Sequence, residues 1–309
     1  MKGPYKIYPV SAQIGCKQNH IALSRICTYL KENGHTIVDA PVVANYIIIN
    51  TCGFHELAEK RCVNIIKGFI ENGNAKIISI GCLNKINKQL MNSFGSRVDV
   101  ITDYCQLDTL FNNKVEFEDD KGHFINNEYN RLLKAGEYSL LMHFLIPLVK
   151  FFGFVFFRSQ IFLSYFYAIN LKKTQCVEIN SGCTWNCSYC RIKLARGPVK
   201  SRTHEQIIND INQLVHPHNS ILLVSDDCGG YGIDISSSLP RLLNELHACF
   251  PDCNFDLSYI HSRAKLYNIS NDDIPIIVGN DKCSLRDGIH IDLYSFFKIK
   301  VAHQVYASR

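Results

Sequence analysis

Short apolar runs alternate with helix-like segments along the first hundred residues of the chain. Five runs rich in apolar and β-branched residues predict strands: 5–12, 35–39, 46–50, 76–80 and 98–101. Between them, residues 19–33 and 56–71 show the apolar spacing of helices, and each is stopped by a glycine, Gly34 or Gly73. Strands that alternate with helices predict an open parallel α/β sheet covered on both faces.

A second series of the same kind occupies the C-terminal half. It consists of predicted strands at 175–180, 220–225 and 255–260 and predicted helices at 203–216 and 239–250, the last with Pro240 in its first turn. This order predicts a partial (βα) barrel. The sequence thus predicts three parts: an N-terminal domain at 1–112, a linker with an apolar helical insertion at 113–172, and an incomplete barrel at 173–309.

The apolar stretch 138–171 is interrupted only by the charges Lys150 and Arg158. A membrane-spanning helix needs about 20 apolar residues, and the windows between these charges are shorter. A weak association with a membrane interface and a helix packed against protein both fit the pattern, and the second is favoured.

Composition adds an unusual cysteine content to this picture. The chain of 309 residues has a net charge of +5, which permits contact with nucleic acid but does not demand it, and 14 cysteines. The start, Met1–Pro4, lacks a secretory signal, which favours a cytoplasmic protein with reduced thiols over a disulfide framework. Seven cysteines fall in no ligand pattern and are interpreted as structural: Cys27, Cys62, Cys105, Cys176, Cys249, Cys253 and Cys283.

Three other cysteines share one position relative to the predicted strands. Cys16, Cys52 and Cys82 each fall just past the C-terminal end of a strand. In an open parallel sheet these ends lie along one edge, where ligands bind. A glycine flanks each cysteine and allows close approach of a bulky ligand: Gly15, Gly53 and Gly81. We therefore expect the three thiols to converge, in preference to being ordinary cysteines at strand ends.

A second trio, Cys183, Cys187 and Cys190, has the spacing CxxxCxxC in a loop directly after a predicted strand. Thiolates suit iron–sulfur clusters or zinc, but structural zinc wants a fourth ligand, and the loop holds none. A [4Fe–4S] cluster held by three thiolates leaves one iron open. This spacing is typical of the radical S-adenosylmethionine (SAM) superfamily, in which SAM chelates the open iron and yields a radical.

The two halves together resemble the methylthiotransferase family of radical SAM enzymes. The resemblance covers roughly residues 5–110 and 175–262. It is carried by these segments besides the second trio: Gly15–Asn19, Ile49–Phe54, Gly81–Leu83, Arg196–Gly197, Ser201–Arg202 and Asp226–Asp234.

The resemblance implies two [4Fe–4S] clusters and SAM as cofactors. Cys16, Cys52 and Cys82 would bind the cluster that supplies sulfur, and the second trio would bind the cluster that generates the radical. Four further residues would contact cofactor or substrate: Tyr189, Arg196, Arg202 and Asp227. No nucleophile motif is present, so no catalytic residue is predicted outside the cofactor ligands.

The reaction implied is insertion of sulfur and a methyl group into a C–H bond. Family substrates are an adenosine of tRNA or an aspartate of a ribosomal protein, and the segment Asn50–Phe54 with Ala58 leans towards the second. A peptide or natural product is a third option. Flavodoxin or ferredoxin is expected as the electron donor.

A different class of function also stays open at this point. Only 119 residues follow Cys190, and nothing of the family is recognisable from about Ser262 onward. A shortened chain that binds iron–sulfur clusters without turnover is therefore the alternative to an active enzyme.

Overall fold

The structure is a computed structural model that describes residues 4–13, 15–118, 121–126, 129, 175–188, 190–214 and 220–260. The chain groups into two compact units, Met1–Lys173 with Ser188–Ala195 and Thr174–Cys187 with Arg196–Arg309. The predicted boundaries at 112 and 172 stay predictions, and the apolar stretch 138–171 lies outside the described residues.

The first unit is built on a parallel five-stranded sheet. Its strands are β1 (Lys6–Ser11), β2 (Thr36–Ile37), β3 (Tyr46–Thr51), β4 (Lys76–Gly81) and β5 (Val98–Val100). They lie in the order β2-β1-β3-β4-β5, and every neighbouring pair is parallel. The predicted open parallel α/β sheet is confirmed.

The helices described between residues 4 and 118 of this unit are α1 (Lys17–Glu32), α2 (Glu56–Asn72), α3 (Cys82–Ile86), α4 (Lys88–Asn92) and α5 (Gln106–Phe111). The chain after Cys82 forms two short helices that meet at Asn87, whose backbone leaves the helical region and whose Oδ1 caps α4 by accepting from the Leu90 N–H at 3.1 Å. Such a cap satisfies an N–H that a helix start leaves free, so a new helix begins there.

The centre of the sheet is β3, where an unbroken Ile47–Ile49 run is fully buried. Successive side chains of a strand point to opposite faces, and a strand covered on both faces needs apolar residues at every position. Ile47 and Ile49 pack with Ala58, Cys62 and Ile66 of α2. This packing fixes α2 on the face of the sheet beneath the end of β3.

The second unit contains a three-stranded parallel sheet of β6 (Gln175–Glu178), β9 (Ile221–Val224) and β10 (Phe255–Leu257), in the order β10-β9-β6. These strands are the predicted ones, with β10 shorter than expected. An antiparallel ribbon of β7 (Asn180–Ser181) and β8 (Lys200–Ser201) was not predicted. The sheet fits the beginning of a βα series, and closure into a partial barrel stays a prediction.

The short helix α6 (Ile192–Arg196) groups with the first unit except for its last residue. The described helices of the second unit are α7 (His204–Asn212) and α8 (Leu239–Cys249). Thr203 and Gln206 form a capping box at the start of α7, and Pro240 lies in the first turn of α8 as expected. Among the residues described, no helix is long and apolar enough to cross a membrane.

Candidate functional site

The cysteines of the first trio lie where three adjacent strands of the first sheet end. Cys52 follows the last residue of β3 directly, and Cys82 follows the last residue of β4. The Cα partners Thr51 and Gly81 close the β3–β4 register, so the two cysteines occupy corresponding positions one step further. Cys16 stands between β1 and α1, at the position that precedes the helix. The expected placement directly after a strand is observed for Cys52 and Cys82, whereas Cys16 lies five residues past the end of β1. Convergence of the three thiols stays a prediction.

Backbone hydrogen bonds define the turn that carries Cys16. Its N–H donates to the Gln13 carbonyl at 3.1 Å, and its carbonyl accepts from the His20 N–H at 3.2 Å. No side chain caps α1, and its first turn contains no acidic residue. The uncapped end of a long helix carries partial positive charge, which favours a thiolate or another anion beside it.

Gly81 permits the tight turn between β4 and Cys82. Its φ of +100° lies in a region that other residues rarely adopt, and a Cβ there would stand 2.5 Å from the Thr51 carbonyl oxygen. The same Cβ would also overlap the Asn50 side chain. Only glycine fits between the ends of β3 and β4.

Two buried amides beside the cysteines, Asn19 and Asn50, each have one side-chain atom without a hydrogen-bond partner among the described residues. Asn50 donates from Nδ2 to the Asn19 carbonyl at 3.1 Å, and this bond ties the end of β3 to the first turn of α1. Asn50 Oδ1 and Asn19 Nδ2 find no partner among the described residues, although both side chains are buried. A buried polar atom without a partner costs about 1–3 kcal/mol, so a ligand that bonds to these atoms would remove the penalty.

A single metal ion is not what the first trio is arranged to hold. Within the described ranges, no three His, Cys, Asp or Glu side chains come close enough to share one ion. Thiolates on a cubane attach to different irons, so a cluster does not require its ligands to share one ion. Cys16, Cys52 and Cys82 form no disulfide among the described residues, and an amide N–H such as that of Asn19 suits the sulfide of a cluster.

A fourth cysteine, which the sequence pattern left among the structural cysteines, contacts Cys52 of this group. Cys62 of α2 accepts a hydrogen bond from the Cys52 N–H at 3.2 Å and donates to the Cys52 carbonyl at 3.3 Å. Burial raises the pKa of the Cys62 thiol to about 11, and the nearby Cys82 contributes to the rise. Its ten-residue distance from Cys52 matches no ligand spacing, so only the packing of α2 reveals it.

The second trio lies in the irregular loop that follows β7. Cys183 is buried, whereas Cys187 and Cys190 are partly exposed, and none of the three forms a disulfide with another described residue. The Cys183 N–H donates to the Gly197 carbonyl at 3.3 Å, and Cys183 Sγ accepts from the Trp185 N–H at 3.5 Å. These bonds fix the start of the loop.

A buried carboxylate, Asp226, holds the beginning of the same loop. Its Oδ2 accepts from the Gly182 N–H at 2.8 Å and lies 3.5 Å from Arg196 Nε. Gly182 has a φ of +80°, and a Cβ there would stand 2.8 Å from the Gly197 carbonyl oxygen. Asp227 is the carboxylate of this segment that the sequence predicted as a cofactor contact. Its neighbour Asp226 is the one that accepts a hydrogen bond from the start of the cysteine loop.

The predicted cofactor contacts have the following surroundings. Arg196 lies between Asp226 and Glu178, with Nη1 3.9 Å from Glu178 Oε1. Arg202 pairs with buried Asp210 at 2.9 Å and donates to two carbonyls. Asp227 is fully buried, and its Oδ1 accepts from the Gly229 N–H at 3.1 Å.

Tyr189 lies outside the described residues, and a cofactor role for all four residues stays a prediction. Next to Asp227, Asn180 Oδ1 is buried and has no partner in the part of the chain that is described. An acceptor left unsatisfied at this point fits a ligand that donates a hydrogen bond.

Comparison with known proteins finds similarity to methylthiotransferases. Residues 10–103 match the model of "Uncharacterized protein family UPF0004". A ribosomal protein uS12 methylthiotransferase RimO from Petrotoga mobilis is 29% identical over 246 residues, covering 76% of this chain and 48% of that protein. The chain is a relative of the methylthiotransferases. A second relative, from Pyrococcus horikoshii, is 25% identical over 236 residues, covering 76% and 48%, and is described as a "Probable threonylcarbamoyladenosine tRNA methylthiotransferase".

The chain spans about half the length of these methylthiotransferases. Among solved structures, the radical SAM methyltransferase TsrM from Kitasatospora setae matches with a TM-score of 0.44 and 11% identity, covering 85% of this chain and 60% of that one. Similarity at this level carries no argument about function. The relation to methylthiotransferases rests on sequence.

Proposed function

We propose that the chain is a radical SAM methylthiotransferase that replaces a C–H bond of its substrate with C–S–CH3. The observation that carries the proposal is the position of Cys52 and Cys82 directly after the adjacent parallel strands β3 and β4, with Cys16 between the neighbouring strand β1 and α1. Together with the CxxxCxxC loop, this gives the chain two separate groups of three thiols. The sequence relation to methylthiotransferases supports the same activity.

The chain's own residues would bind the cofactors, orient them and shield them from solvent. Each thiol trio would hold one [4Fe–4S] cluster by three irons, and the cofactors when bound would supply the radical, the sulfur and the methyl group. Asn19 would donate a hydrogen bond towards the first cluster from its unsatisfied Nδ2. Asp226 and Arg196 would hold the loop that presents Cys183.

The substrate that we favour is an aspartate of a ribosomal protein. Asn50–Phe54 and Ala58 lean towards that branch of the family, and the Petrotoga relative belongs to it. An adenosine of tRNA is the competing substrate. An electron donor such as flavodoxin or ferredoxin would deliver the electrons.

The deciding experiment is reductive SAM cleavage by the reconstituted full chain. With dithionite and SAM the wild type should release 5′-deoxyadenosine, and the Cys187→Ala variant should release none. A chain that binds its clusters but cleaves no SAM would be a cluster-binding protein, and the catalytic proposal would be wrong.

The substrate is tested separately. Ribosomal protein and tRNA are each incubated with the active chain, and mass spectrometry looks for the gain of one sulfur and one methylene unit. A gain on the tRNA alone would reject the ribosomal-protein assignment and leave the reaction type intact.

A further inference from the structure

The contact between Cys62 and Cys52 assigns a role to a cysteine outside both trios. Cys62 lies on α2 within the apolar core of the first unit, and its side chain is fully buried. Cys52 is itself buried and stands one residue beyond the end of β3. Its backbone groups therefore lie past the regular bonds of the sheet.

Buried backbone N–H and C=O groups need hydrogen-bond partners. Cys62 Sγ serves both groups of Cys52, accepting from its N–H at 3.2 Å and donating to its carbonyl at 3.3 Å. A thiol is suited to this double task because it is both a weak donor and a weak acceptor.

The double contact holds the Cys52 backbone on both sides of its Cα. The direction in which the Cys52 side chain leaves the backbone is thereby set by α2, which packs on the rigid centre of the sheet through Ala58 and Ile66. The Cys62 thiol is directed at the backbone of its neighbour and uses its hydrogen-bonding capacity there.

We infer that Cys62 is a positioning residue, which fixes the backbone of Cys52 so that the Cys52 thiolate is presented to the first cluster. The inference rests on the proposed function, which makes Cys52 a cluster ligand. This role differs from two alternatives for Cys62: that it is a fourth ligand of the cluster, and that it is a buried cysteine with no role beyond packing.

The test uses the full chain in a Cys187→Ala background, so that the iron retained reports on the first site. Cys62→Ala removes both hydrogen bonds, and Cys62→Ser keeps a donor and an acceptor. The matched control is Cys27→Ala, because Cys27 is another buried cysteine on a helix of the same unit. Iron per chain and the rate of iron release to a chelator are measured for each variant.

Loss of a residue that orients a metal ligand typically weakens the metal site by about 10–100-fold, so Cys62→Ala should release iron at least about tenfold faster than its parent. Cys62→Ser should stay close to the parent, and Cys27→Ala should match it. Urea unfolding of the cofactor-free variants shows whether Cys62→Ala and Cys27→Ala lose comparable stability.

Three results would overturn the inference. Release from Cys62→Ala at the parent rate would show that the contact does not matter. Iron as depleted in Cys62→Ser as in Cys52→Ala would make Cys62 a ligand. Equally fast release from Cys27→Ala would indicate general loosening of the unit.

Failure of the proposed function would look different. If Cys52→Ala in the same background retained its iron, the first site would be wrongly assigned, and the inference would fall with it. That outcome is visible without any Cys62 variant.

Discussion

At the scale of single residues, the backbone around the first trio allows little substitution. Gly81 combines a positive φ with contact to the Thr51 carbonyl, whereas Gly68 in the middle of α2 has open space where a Cβ would stand. An added methyl group should therefore affect the stability of the folded chain differently at these two glycines.

We expect Gly81→Ala to lower the free energy of unfolding by about 2–3 kcal/mol, because it forces a strained backbone conformation and a steric overlap. Gly68→Ala should raise it by about 0.5–1 kcal/mol, since alanine is the better helix former. Urea denaturation followed by circular dichroism measures both. A Gly81→Ala variant as stable as the wild type would contradict the described turn.

Cys27 should make the stability depend on pH. Burial raises the pKa of its thiol from an ordinary 9.0 to about 12 in the folded chain. The folded state therefore keeps a proton that the unfolded state releases, and this contribution is complete below pH 9 and is lost as the pH rises towards 12.

Replacing Cys27 by alanine should cost about 1 kcal/mol at pH 8. The difference between wild type and Cys27→Ala should then shrink above pH 9 and change sign before pH 10.5, because only the wild type loses stability through this thiol, by about 2 kcal/mol at pH 10.5. Urea midpoints under reducing conditions measure it, and a difference that stays constant over this range would be evidence against the burial-driven shift.

At the scale of elements, α7 is tied to β6 by a buried ion pair. Arg202 donates to the Glu178 carbonyl of β6 at 2.9 Å and pairs with Asp210 of α7 at 2.9 Å. Both charged side chains are almost fully buried, so neither tolerates the loss of the other.

Arg202→Met should therefore destabilise the cofactor-free chain by about 3–5 kcal/mol, and adding Asp210→Leu should recover most of this loss. The double variant separates a structural role from a cofactor contact, since a residue that contacts only SAM would not alter the chain without it. Unchanged unfolding of the single variant would speak for the cofactor role.

At the scale of the whole molecule, the two thiol trios should load independently. Cys52→Ala and Cys187→Ala should each remove about four irons from a chain that binds about eight, and the double variant should retain almost none. Iron and acid-labile sulfide per chain give the count. A single variant that empties both sites would show that the two groups do not act separately.

Much of this arrangement could be predicted from the sequence. The apolar Ile47–Ile49 run predicted the central strand, and cysteines that follow strands were expected at one edge of the sheet. Contacts between distant segments could not be predicted in this way. Cys62 reaches Cys52 only because α2 packs on β3, and Asp226 rather than Asp227 faces Gly182 because of how the segment after β9 turns.

A parallel sheet has a consequence for the order of events in a newly made chain. Neighbouring parallel strands cannot be joined by a hairpin, so β1, β3 and β4 become neighbours only after the intervening helices have packed. Until then Cys16, Cys52 and Cys82 are far apart. A site made of these three thiols is therefore complete only once this part of the sheet has formed.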